Sequence, residues 1–114
     1  MLFNPGTIVA TPGALELAEQ GINLSVYLQR HLSGDWGDLC PEDKAENNFS
    51  LQNGFRLLSA YDTPCGSLWI ITEADRSATT LEKKGLSSLQ TAPAFYSNRD
   101  HSRLYLLSYP LNSI

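Results

Sequence analysis

The stretch from Phe55 to Glu73, FRLLSAYDTPCGSLWIITE, decides the fold. Over 55–61 the side chains alternate, with Phe55, Leu57, Ser59 and Tyr61 on one side and Arg56, Leu58 and Ala60 on the other, which is the period of a β-strand. Residues 67–73 carry Trp69, Ile70, Ile71 and Thr72, bulky or β-branched side chains that suit a pleated surface. Asp62-Thr63-Pro64-Cys65-Gly66 between them has the residues of a turn, so 55–61 and 67–73 are expected to form an antiparallel hairpin. Ala74-Asp75-Arg76 turns the chain again, and Ser77 to Lys83 is expected to add a third antiparallel strand.

Toward the N-terminus the period lengthens. Pro41 opens a helix that runs to Asn53, with Glu42 and Asp43 at the positive end of its dipole and Gly54 just past its end. Ala45, Phe49 and Gln52 are its expected inner face, and Phe55 is expected to pack back on it. Leu24, Tyr27, Leu28, His31 and Leu32 make one apolar stripe of a second helix, capped by Asn23 and stopped near Gly34. Thr11 and Pro12 begin a further helix that ends about Gln20, with Leu15 and Ala18 inward. Gly6 to Ala10 is a short β-branched run, and residues 1–5 read as a loose start. The fold class is therefore α+β: three helices of the N-terminal half on an antiparallel sheet built around the 55–61/67–73 hairpin, plus a short N-terminal strand.

The 114 residues suit one small domain able to bury a core, and 42% hydrophobic with 18% charged residues is a globular composition. No apolar span of membrane length and no secretory leader is evident, so a cytoplasmic protein without membrane contact is expected. A net charge of −4 argues against general nucleic-acid binding, which needs cations to neutralise phosphates. Cys40 and Cys65 are expected as free thiols. Residues 85–114 form a divergent tail in which only 103–109, RLYLLSY, reads as a strand. Pro110 would end it, and a late, short strand belongs at a sheet edge, where it invites pairing with a second chain. A homodimer is one expected partnership.

The connection from His31 to Asn48, HLSGDWGDLCPEDKAENN, holds the residues with chemical potential. On one reading His31 with Asp35, Asp38, Glu42, Asp43 and Glu46 forms a hard-cation or hydrolytic site, joined by Glu73, Asp75 and Arg76 from the hairpin. On the other, Asp35 and Asp38 turn the backbone, Glu42 and Asp43 serve the helix dipole, and His31 is a core histidine hydrogen-bonded to the loop near Asp35 or Asp38. No metal motif is matched, and no metal or cofactor is expected. Trp36 stands between Asp35 and Gly37 either as a lid on the core or as an anchor for a partner, and its ring is expected to lie against the helix pair.

LFNPGTIVATPGALELAEQ, RHLSGDWGDL, ENNFSLQNGFRLLSAY and LWIITEADRSATT together carry a resemblance. Over about Leu2 to Thr80 the chain resembles a family of small proteins found on bacterial plasmids, in integron gene cassettes and beside mobile elements, often described as a subunit of type I restriction–modification systems. That family has no established activity, so the resemblance implies an accessory role and no catalytic residues. The restriction description has no counterpart in the residues: a methyltransferase needs a Gly-rich cofactor turn and an Asn-Pro-Pro-Tyr motif, whereas the single Asn-Pro here is Asn4-Pro5, followed by Gly6. The expected function is a non-enzymatic, protein-binding accessory module acting through His31, Asp35, Trp36, Asp38, Glu73, Asp75 and Arg76. The alternative is a small metal-dependent hydrolase or nuclease using His31, Asp35 and Asp38.

Overall fold

The structure, a computed structural model, describes residues 1–84. In chain order it contains β1 (Thr7–Ala10), α1 (Pro12–Glu19), α2 (Leu24–Leu32), α3 (Pro41–Asn53), β2 (Leu57–Thr63), β3 (Gly66–Thr72) and β4 (Ala78–Lys84). The chain is α+β, with a four-stranded sheet in the order β1-β4-β3-β2.

The hairpin is present, with Ser59 opposite Ile70 and Tyr61 opposite Leu68. Its first strand starts two residues later than the alternation suggests, because the Phe55 amide closes the end of α3 by donating to the Ser50 carbonyl. Its connection is also tighter than the expected four or five residues: Thr63 pairs with Gly66, leaving Pro64 and Cys65 as the turn. Strand β4 joins β3 antiparallel as expected, but β1 lies parallel to β4, with Thr7 beside Ala78 and Ala10 beside Leu81. The sheet is mixed and not wholly antiparallel. A parallel neighbour requires a long connection, and α1, α2, α3 and the hairpin all lie between β1 and β4.

Leu57 to Tyr61 and Ser67 to Thr72 are buried without a break. The period of two therefore marks two buried faces here, and not one wet and one dry face. One core cluster joins Ala14 and Leu17 of α1 and Leu24, Leu28 and Leu32 of α2 to Ala10, Tyr61, Leu68, Ile70 and Leu81 of the sheet. A second joins Trp36 and Leu39 to Leu57, Leu58, Ala60, Trp69 and Ile71.

The helix starts form as their sequences dictate. Thr11 Oγ1 accepts the Ala14 amide, Asn23 Oδ1 accepts the Ser25 amide, and Pro12 and Pro41 occupy first turns. Inner faces differ from expectation twice. In α1 the buried pair is Ala14 and Leu17, with Leu15 and Ala18 only partly covered. In α3 the buried residues are Asn47 and Ser50, while Ala45, Phe49 and Gln52 face outward. Nor is the N-terminus loose. The Leu2 amide donates to the Leu32 carbonyl at 2.8 Å, and Phe3 packs against both core clusters.

Cys40 and Cys65 are free thiols, as expected. No described helix is long and apolar enough to cross a membrane. The edge strand expected at 103–109, and dimerisation through it, lie outside the described residues.

Candidate functional site

His31 is fully buried, and its ring bonds are not made to the loop. Nδ1 lies 2.6 Å from Ser59 Oγ on β2 and Nε2 lies 2.9 Å from Thr72 Oγ1 on β3. The expected partners, Asp35 and Asp38, are turned elsewhere. Thr72 Oγ1 continues to Thr79 Oγ1 at 2.7 Å, and Thr79 Oγ1 donates to the Pro5 carbonyl at 2.8 Å. A carbonyl can only accept, so the direction of the chain follows from its end as far as the ring. Thr79 gives its one proton to Pro5 and therefore accepts from Thr72, which accepts from Nε2–H of His31; burial keeps the ring neutral, so its bare Nδ1 accepts from Ser59. The imidazole is neutral and fixed as the Nε2–H tautomer. Desolvation, helped by the positive charge of Arg76, lowers its pKa from 6.5 to about 3. The rings of Phe3 and Trp36 meet it edge-on at 5.3 and 5.7 Å.

The Asp35–Asp38 loop closes the free edge of β2. The Trp36 carbonyl accepts the Ala60 amide at 3.2 Å, and the Asp38 amide donates to the Ala60 carbonyl at 2.7 Å. Two residues further along β2, the Asp38 carboxylate accepts the Asp62 amide at 2.8 Å. Asn47 of α3 completes the row: its Nδ2 donates to the Leu58 carbonyl at 2.5 Å and its Oδ1 accepts the Leu58 amide at 3.1 Å. An exposed row of strand amides and carbonyls is a template for unwanted pairing, and here the chain's own loop and one side-chain amide occupy it. Gly37 permits the close approach, since a Cβ there would meet the Ala60 carbonyl oxygen and the Tyr61 ring.

Trp36 acts as a lid. It is 3% exposed, but its ring does not lie on the α1–α2 pair as expected: it packs with Leu39, Leu57, Ala60 and Trp69 in the second cluster, meets α2 only edge-on at His31, and its indole N–H donates to Asn48 Oδ1 of α3 at 2.9 Å. Asp35 receives the Gly37 amide and a two-pronged contact from Arg30, at 2.7 and 3.3 Å. The Arg30 guanidinium holds its carboxyl below the usual carboxylate range. The Asp35 carbonyl accepts from the Tyr61 hydroxyl at 2.6 Å.

On the hairpin side, Glu73 pairs with Arg56 at 3.7 Å, and the Asp75 carboxylate accepts the Ser77 amide of its own turn. The Arg76 guanidinium gathers backbone carbonyls, those of Phe55 at 2.7 Å, Glu73 at 3.0 Å and Ser50 at 3.4 Å, and so ties the end of α3 to the β3–β4 turn. The seven residues proposed from sequence are therefore brought to three separate tasks: a core relay, an edge strap and a turn clamp. No group of three His, Cys, Asp or Glu side chains able to hold a metal ion occurs among the described residues.

Two features escaped the sequence reading. A cavity of about 240 Å³ opens between α3 and β2, lined by Leu39, Asp43, Glu46, Asn47, Phe55 and Leu58 among others. Beside it Phe55 packs back on α3 as expected, but on the solvent side: Phe49 and Phe55, 54% and 52% exposed, stack on each other with centroids 5.9 Å apart. The available signal was Asn47-Asn48 inside a helix. Asparagine is a poor helix former that competes for backbone groups, so its presence there calls for a specific partner and rotates the aromatic Phe49 away from the core.

No family model, no curated protein and no solved structure matches the chain.

Proposed function

We propose that the protein is a non-enzymatic protein-binding module, of the accessory kind that the resemblance to plasmid and cassette proteins implies. One observation carries the reading: the stacked Phe49–Phe55 pair stands in solvent beside a cavity. Two large apolar rings held together at the surface mark a contact region more often than single exposed residues do. His31, Asp35 and Asp38, from which the alternative hydrolase would be assembled, are engaged in the core relay and the edge strap. Buried His31 is closed in by Phe3, Trp36 and the sheet, and a general base must reach its substrate.

The test is a photo-crosslinking amino acid placed at position 49 in the full chain, expressed in its own host. A defined protein adduct that disappears when Phe55 is also changed to Ser is the expected result. Magnesium- or manganese-dependent turnover of ester or phosphodiester substrates by the purified protein, abolished by His31→Ala in a variant that still folds, would overturn it.

A further inference from the structure

The cavity beside α3 has the size of one large side chain. Its 240 Å³ lies below the roughly 300–1,000 Å³ of small-molecule and cofactor sites. Leu39 and Leu58 give it an apolar floor and Phe55 an aromatic rim, while Asp43 and Glu46, three residues apart and so on one side of α3, give it an acidic wall. No described ion pair engages either carboxylate. Arg56, also at the cavity, has Glu73 beside it at 3.7 Å, and against its single positive charge the wall sets two carboxylates.

We propose that this cavity receives an apolar side chain of a partner peptide whose adjoining Lys or Arg faces Asp43 and Glu46. The proposal rests on the protein-binding reading and names the chemistry of the partner. Docking is by side chains and not by strand addition, because Asn47, Trp36 and Asp38 already occupy the β2 edge that a peptide strand would need. A second copy of this chain is the poorer occupant, since it would bring the same acidic wall against itself.

The full ¹⁵N-labelled chain is titrated with Ac-Lys-Phe-Lys-NH2, with Ac-Lys-Ala-Lys-NH2 and Ac-Glu-Phe-Glu-NH2 as comparisons. Saturable shifts centred on the amides of Asn47, Ser50, Phe55 and Arg56 are expected for the first peptide and weaker ones for the other two. Asp43→Asn and Glu46→Gln should each weaken binding about two- to five-fold, the range of a solvent-exposed ion pair, with the fold retained. Equal binding of Ac-Glu-Phe-Glu-NH2, shifts centred elsewhere, or no saturable shift overturns the proposal. Shifts at these amides that grow with protein concentration in the absence of peptide also overturn it, in favour of self-association. An adduct at position 49 that survives both carboxylate changes leaves the protein-binding reading standing and removes only the cationic partner. Absence of any adduct in the otherwise wild-type chain removes the reading itself.

Discussion

Helices α2 and α3 flank the same strand, and they meet it by different chemistry. Helix α2 lies on the face of the sheet and presents Leu24, Leu28, His31 and Leu32, a stripe that follows the helical repeat. Helix α3 lies along the edge of β2 and presents Asn47, whose amide stands where a neighbouring strand would be. A sheet face offers side chains and is covered by apolar area, whereas a sheet edge offers amides and carbonyls and is covered by hydrogen bonds. This is why α2 reads plainly in the sequence and α3 does not.

The largest test of the contrast is truncation on each helix. Leu28→Ala on α2 removes a buried side chain of the main cluster and should cost about 2–5 kcal/mol of stability in a denaturant titration. A cost below about 1 kcal/mol would mean that α2 is not held by its apolar stripe.

His31 gives the second test, through pH. Its folded pKa, about 3, lies below the unfolded value of 6.5, so between these limits the unfolded chain binds the proton that the folded chain refuses. Stability is complete above pH 6.5 and falls as pH drops toward 3, with a slope of up to about 1.4 kcal/mol per pH unit. Arg76 reinforces this loss, and the other groups packed on the ring, Phe3, Trp36, Ser59 and Thr72, are uncharged. The measurement is a set of denaturant titrations from pH 7 to pH 4. A His31→Gln variant that folds should lose most of this dependence, and an unchanged slope in that variant would assign the proton elsewhere.

What the sequence made legible follows the same division. The hairpin, the three helices, the caps at Thr11 and Asn23 and the lid role of Trp36 rest on local spacing or on side-chain type, and the structure contains them. The partners of His31 were not legible, because Ser59 and Thr72 lie 28 and 41 residues away and only the sheet register brings them together. Ser59 inside the run LLSAY was the available signal, since a hydroxyl between buried apolar neighbours needs a buried partner. The parallel seat of β1 was hidden for a related reason: nothing within its four residues states which strand it will join.

Asn47 gives a smaller effect than Leu28. Asn47→Ala leaves the Leu58 amide and carbonyl without their side-chain partner and should cost about 1–3 kcal/mol. Amide hydrogen exchange is the sharper readout: Leu58 should lose protection more than Ile70, because the edge opens before the centre of the sheet does. Equal loss at both residues would show that α3 supports the whole sheet and not its edge.

The smallest expected effect completes the comparison. Phe49 sits between Asn48, which holds the Trp36 indole, and Ser50, whose carbonyl takes the Phe55 amide and a contact from Arg76. These neighbours fix the rotation of α3 and leave the Phe49 ring outside, in contact with Phe55. Its removal thus uncovers little that the fold has buried, and Phe49→Ser should change stability by no more than about 0.5 kcal/mol, as for surface positions in general. The helical spacing alone places Phe49 on the inner face, where its loss would cost about 3–5 kcal/mol. A single melting curve separates these values. A large loss would turn α3 about its axis, bury the aromatic pair, and remove both the edge cover by Asn47 and the surface on which the binding reading stands.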